Sequence, residues 1–114
     1  MQISPAATAA KTVAGASSME EHAAAAAAVL RLLASERRLI VLCTLIVEGE
    51  APVGRLADRA GLSQPAMSQH LAKLRDEGLV ATRRAGTTIH YRISDPRVAT
   101  IMATLQEIFC PTES

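Results

Sequence analysis

Leu62-Ser63-Gln64-Pro65-Ala66-Met67-Ser68-Gln69-His70-Leu71-Ala72-Lys73-Leu74-Arg75 reads as a capped helix with one apolar and one polar side. The Ser63 hydroxyl can accept from a first-turn N–H, and Pro65 falls in the first turn, where a missing N–H costs nothing. Gly78 closes the helix. Met67, Leu71 and Leu74 lie within about 60° of one another on a wheel of 3.6 residues per turn. Pro65, Gln69 and Ala72 point away from them, Ser68 and Lys73 flank that outer side, and Gln64 lies in the first turn. Short polar side chains so placed reach base edges in a major groove about 12 Å wide, while Lys73 and Arg75 reach phosphates. The competing reading is an amphipathic helix whose polar side is only solvated.

Moving toward the N-terminus, Pro52 opens a short helix in which Val53, Leu56, Ala57 and Ala60 recur at helical spacing, and Gly61 stops it. Two short helices separated by Gly61-Leu62 make a helix-turn-helix. Before them, Ser35 caps a helix that enters through Arg37 and Arg38 and ends at Gly49. It is apolar nearly all round and reads as the central buried helix. An earlier helix starts after Ser17/Ser18, with Glu20 and Glu21 in its first turn, and runs through six alanines to about Leu33. The Ala, Ser, Thr and Gly of residues 1–18 show no apolar period and read as a disordered tail. Residues 19–111 form the domain, and residues 112–114 form a second tail.

Beyond Gly78 the period falls from 3.6 to 2. Ile89, Tyr91 and Ile93 alternate with Thr88, His90 and Arg92, and Ala85-Gly86 turns this run back on Leu79 to Arg84 as a β-hairpin. Arg83, Arg84, Thr87 and Thr88 sit near its tip, suited to the DNA backbone or the adjacent minor groove. Ser94 or Asp95, with Pro96, restarts a helix carrying a stripe of Val98, Ile101, Met102, Leu105, Ile108 and Phe109. The expected fold is mainly α with a small β-hairpin: a winged helix-turn-helix of five helices. Apolar or alanine faces left over on the first and last helices point to a homodimer joined there.

Charge and composition narrow the function. The 114 residues carry a net charge of only +1, but residues 55–97 hold eight basic and four acidic side chains. That local excess suits one face meeting a polyanion. Of the 56 hydrophobic residues 22 are alanine, which leaves a core for one small domain. One Tyr, one Phe and no Trp argue against a platform of stacked single-stranded bases. The longest apolar run, Leu39 to Val47, is far short of the ~20 residues of a membrane span. Residues 1–18 lack a secretory apolar region, so a cytoplasmic protein is expected. Two cysteines do not make a disulfide scaffold. No Ser-His-Asp set or phosphate loop is present, so an enzyme is not expected.

The stretch from Leu62 to Arg75 with Asp76-Glu77-Gly78-Leu79-Val80 closely resembles the recognition helix and start of the wing of ArsR/SmtB-family repressors. The similarity runs over roughly residues 20–111 and includes Ser35-Glu36-Arg37-Arg38-Leu39 and the wing strand Ile89-His90-Tyr91-Arg92-Ile93. Cys43 in the second helix and Cys110 near the end of the last resemble the persulfide-responsive branch (the SqrR, BigR and YgaV type). The resemblance implies a homodimer that binds an inverted repeat of double-stranded operator DNA and lets go when an inducer reshapes it. It implies DNA-facing positions at Ser63, Gln64, Ser68, Gln69, His70 and Lys73, with Arg83 and Arg84 on the wing. Metal-sensing relatives use a Cys-x-Cys in the third helix or an Asp-x-His start to the last. Here residues 51–56 hold no cysteine, and Asp95-Pro96-Arg97 breaks the second pattern. His22, His70 and His90 fall on three elements without ligand spacing, so no metal and no bound cofactor are expected.

A lone cysteine in an apolar helix is usually a small buried hydrophobe, and a terminal one can be incidental. As a pair matching a family's sensor thiols, Cys43 and Cys110 read instead as the site where persulfide or polysulfide sulfur becomes a covalent bridge. Added sulfur atoms relax the ~4.4–6.8 Å Cα separation that a plain disulfide demands. Three alternatives stand beside this: a thiol–disulfide or peroxide switch on the same DNA module, a metal-responsive repressor with an unfamiliar site, and a winged helix that binds protein. A helix C-terminus disfavours a thiolate at Cys110, and Cys43 has only the distant Arg38 as a cation in its own helix, so the sequence does not supply the activation.

Overall fold

A computed structural model describes residues 15–110, in two compact units that meet in the chain at Leu32-Leu33. The first unit is built on α1 (Gly15–Leu33). This helix starts ahead of the expected cap, because Ala16 favours helix strongly and two serines oppose it only mildly. Glu20 and Glu21 therefore fall beyond its first turn, and residues 15–18 of the expected tail are helical. The rest of that tail, residues 1–14, and the C-terminal tail, residues 112–114, lie outside the described residues. Arg31 occupies the last turn, at the negative end of the helix dipole.

The second unit begins with α2 (Glu36–Glu48), capped by Ser35, whose Oγ accepts from the Arg38 N–H at 3.3 Å, and ended by Gly49 at φ 84°. The remaining elements are β1 (Ala51–Pro52), α3 (Val53–Ala60), α4 (Gln64–Asp76), β2 (Val80–Ala85), β3 (Thr88–Ile93) and α5 (Pro96–Phe109). Helix α2 packs against α3, α5 and the sheet, and buries Val41, Leu42, Thr44 and Leu45. It is central but not buried all round: Val47 is 67% exposed, so one side of the helix is left open.

The expected two-stranded wing is a three-stranded antiparallel sheet in the order β1-β3-β2. Ala51 pairs with Tyr91 and Pro52 with His90, so Pro52 ends an edge strand and stands just outside α3 instead of opening it. An edge position tolerates the missing N–H. The β2–β3 register runs from Val80 opposite Ile93 to Ala85 opposite Thr88.

At the helix-turn-helix corner Gly61 adopts φ 70°, ψ 34°, and the Leu62 N–H donates back to the Ala57 carbonyl at 2.9 Å. Arg37 of α2 donates to the carbonyls of Ala60 and Gly61, placing a cation where the α3 dipole is negative. A Cβ at residue 61 would sit 3.3 Å from the Arg37 guanidinium. Gly61→Ala is expected to destabilise by about 1–2 kcal/mol, the cost of a left-handed non-glycine residue. In a domain this small each kcal/mol lowers Tm by about 4–8 °C, so a melt unchanged within a degree would contradict the strain.

The Ser63 cap is formed, its Oγ accepting from the Ala66 N–H at 3.2 Å, and Met67, Leu71 and Leu74 of α4 are fully buried. Asp95, not Ser94, caps α5, accepting from the Arg97 N–H at 2.9 Å, while Ser94 Oγ donates to the Gly78 carbonyl. Val98 and Met102 of the expected α5 stripe are buried. Ile108 and Phe109, at its far end, are 62% and 75% exposed.

Candidate nucleic-acid interface and thiol pocket

With the apolar side of α4 turned inward, Ser63, Gln64, Ser68, Gln69 and Lys73 are exposed together on its outer side. Gln64 lies close over α3: a Cβ on Gly54 would come within 3.2 Å of its amide nitrogen. Lys73 keeps only a long 3.9 Å contact with Glu77, one turn on, so its ammonium is available to an anion. Ser63 is exposed, but its oxygen already serves as the cap.

His70 departs from the other five. It is half-buried, and its Nδ1 accepts from the Arg38 Nε of α2 at 3.3 Å. The ring thus ties the back edge of α4 to α2. The wing divides likewise. Thr87, Thr88 and Arg84 are exposed at or beside the turn, and Arg84 is in no ion pair among the described residues. Arg83 is held by Glu50, with Nη2 to carboxylate oxygen at 2.7 Å and Nε at 3.1 Å from both oxygens. That hydrogen-bonded guanidinium holds the Glu50 carboxyl below the usual carboxylate range. The pair therefore persists as pH falls until the lowered value is reached. The hairpin placed Arg83 near the wing tip, and the family resemblance placed His70 among the DNA-facing positions. Glu50 and Arg38, distant in sequence, are their partners in the structure.

Cys43, on α2, and Cys110, just past the end of α5, line one open cavity of about 670 Å³. Helix α2 contributes Leu39, Ile40, Thr44 and Val47 beside Cys43, α3 contributes Arg55 and Arg59, and α5 contributes Gln106. Both thiols are free. Cys43 is half-buried, and Cys110 is exposed where α5 ends, its N–H donating to the Gln106 carbonyl at 2.8 Å. Burial pushes the Cys43 thiol up from its ordinary value, and the charge of Cys110 pushes it the same way. Of the two arginines lining the cavity, Arg55 is bound to Glu48 at 2.5 Å. The cavity thus brings both thiols to one space, with Cys43 favoured in its protonated, less nucleophilic form. Gln106 Oε1 is buried without a hydrogen-bond partner.

Sequence reasoning found the two thiols but not Arg55, Arg59 or Gln106 around them. Among the described residues no group of three or more His, Cys, Asp or Glu is arranged to hold a metal ion, and no helix is long and apolar enough to cross a membrane.

Residues 35–82 match the family described as "Bacterial regulatory protein, arsR family". The biofilm growth-associated repressor of Xylella fastidiosa (strain Temecula1) is 44% identical over 75 residues, covering 66% of this chain and 65% of that protein. The chain thus matches just under two thirds of that relative's length. The HTH-type transcriptional regulator YgaV of Escherichia coli K12 is 42% identical over 73 residues, 64% of this chain and 74% of YgaV. Reduced HlyU from Vibrio cholerae N16961 superposes with a TM-score of 0.77 at 43% identity, covering 82% of this chain and 97% of HlyU. These similarities are to transcriptional regulators, not to enzymes.

Proposed function

The chain belongs to the arsR family of bacterial regulatory proteins, and from that premise we propose that it is a DNA-binding repressor released from its operator when reactive sulfur bridges Cys43 to Cys110. The observation that carries the sensor half is the single cavity lined by both free thiols. The exposed outer side of α4 carries the DNA half, with base-reading roles for Gln64, Ser68 and Gln69 and phosphate contacts from Lys73 and Arg84. Arg83, paired with Glu50, braces the wing. Exposed Ile108 and Phe109 at the end of α5 support a homodimer in which a second copy covers them. Two recognition helices in such a dimer would address successive major-groove faces roughly 34–36 Å apart.

The chemistry balances without an outside oxidant. The Cys43 thiolate attacks the terminal sulfur of a low-molecular-weight persulfide, takes that sulfur and expels the carrier thiolate. Cys110 reacts likewise with a second persulfide. The Cys43 perthiolate then attacks the inner sulfur of the Cys110 persulfide, closing a trisulfide and expelling hydrosulfide. Two protein thiols are oxidised, one sulfur is reduced to sulfide, and two carrier thiols are released. The bridge links α2 to the end of α5. Through Arg37 and Arg38, α2 also holds the turn before α4 and His70 within it.

The test is the mass of reduced protein after separate treatment with glutathione persulfide, oxidised glutathione and peroxide, with operator binding followed in parallel. Added bridging sulfur with loss of binding only after persulfide is the expected result. Loss of two hydrogens with peroxide, accompanied by release, would assign a plain disulfide switch instead. Operator binding should also fall steeply with salt. Gln69→Ala is expected to weaken operator binding by about 1–3 kcal/mol while sparing bulk DNA. Arg84→Ala should weaken both and reduce the salt slope by about 1. Equal effects of the two in a titration at several salt concentrations would contradict the assigned groove-facing side.

A further inference from the structure

We infer that Gly54, in the first turn of α3, is a specificity-determining residue for DNA: it is the seat on which the Gln64 carboxamide rests, and that seat sets how Gln64 reaches a base. This rests on α4 being the base-reading helix and adds a positioning residue from the helix before it. Gly49, Gly61, Gly78 and Gly86 adopt positive φ, where glycine is favoured. Gly54 does not: it stands inside the eight-residue α3, where alanine is the better helix former. The backbone therefore gives no reason for a glycine there, and an isolated glycine in a helix points to close packing or function. Its neighbour supplies the reason. A Cβ at residue 54 would lie 3.2 Å from Gln64 Nε2 and 3.9 Å from Gln64 Cδ. Non-bonded contacts of carbon are comfortable at about 3.5–4.0 Å, so a methyl group here displaces the carboxamide. Gln64 is the first residue of α4 and is exposed. The Ser63 cap fixes the start of the helix, but the glutamine side chain has several rotatable bonds, and ordering them on DNA is unfavourable. A carboxamide already laid against α3 has less freedom to lose and presents its donor and acceptor from one place. So presented, it distinguishes base pairs by paired hydrogen bonds to an adenine edge.

The experiment selects bound duplexes from a randomised double-stranded DNA pool with the reduced full chain. Affinities for the selected duplex and its single-base-pair variants are then measured for wild type, Gly54→Ala, Gln64→Ala and the double variant. Gln64→Ala is expected to lose about tenfold of preference at the base pair it reads. Gly54→Ala should lose about threefold at that same base pair and leave the other positions as they are. The double variant should match Gln64→Ala, because without the carboxamide a Cβ at residue 54 displaces nothing. The melting temperature of Gly54→Ala should hold or rise, by up to about 8 °C, which verifies that the variant is folded. A preference that Gln64→Ala alters and Gly54→Ala does not overturns the seat while base reading by α4 stands. Equal weakening at every position by Gly54→Ala, or an undiminished effect of that substitution in the double variant, overturns it as well. A folded wild type that enriches no sequence removes the base-reading helix itself, and the role of Gly54 with it.

Discussion

In Cys43→Ser, treatment with glutathione persulfide is expected to leave operator affinity unchanged, whereas the wild type should lose at least about tenfold, ~1.4 kcal/mol. The reduced variant should bind the operator as the wild type does, because Cys43 faces the cavity on α2 and is remote from the outer side of α4. Cys110→Ser provides the complementary result: Cys43 can still accept one sulfur, but no bridge closes and the operator is kept. The pH dependence follows from the raised Cys43 value. The thiol is the favoured form near neutrality, so bridging should accelerate with pH and keep accelerating beyond the ordinary thiol value of about 8.5. Electrophoretic shift measurements before and after persulfide decide the matter. Undiminished release from Cys43→Ser would end the dithiol mechanism and leave the DNA module standing.

Leu71→Ala is expected to lower the unfolding free energy by about 2–5 kcal/mol, the range for deleting a fully enclosed leucine. Leu71 is 0% exposed and, with Met67 and Leu74, fastens α4 to the rest of the domain. Small domains have only about 5–15 kcal/mol in total, so this one truncation removes a large share. Urea unfolding should show an earlier midpoint with an unchanged slope. A loss below about 1 kcal/mol would mean that the inward side of α4 is not packed as described. Ser68→Ala, on the exposed side of the same helix, should leave stability within about 0.5 kcal/mol, which separates packing from recognition.

Local signals carried most of the architecture into the sequence. Ser35 and Ser63 cap where hydroxyls precede apolar periodicity, Gly49 and Gly61 stop helices at positive φ, and the shift from a period of 3.6 to 2 after Gly78 marks the wing. Strand β1 escaped notice because two residues cannot display an alternation; only pairing with Tyr91 and His90 makes Ala51-Pro52 a strand. The helix-wheel argument placed Gln64, Ser68 and Gln69 on the outer side of α4, and they are exposed there. His70 came from the family resemblance, and its contact with the Arg38 guanidinium of α2 was not legible because the two lie far apart in the chain. Arg83 and Glu50 are partners only once β2 and β1 join a common sheet, a contact between segments far apart in the chain. The thiols were legible as a pair through their match to a family pattern. The pocket around them was not, since Arg55, Arg59 and Gln106 look individually like ordinary solvated helix residues.

Helix α2 has two sides with separate duties. Val41, Leu42 and Leu45 anchor the domain, while Leu39, Ile40, Cys43 and Val47 border the cavity. An engineer seeking a regulator for a different chemical cue could therefore rewrite the second set and keep the first. The grip on the reading head, supplied by the two arginines at the front of the same rod, would carry over to the new trigger without redesign.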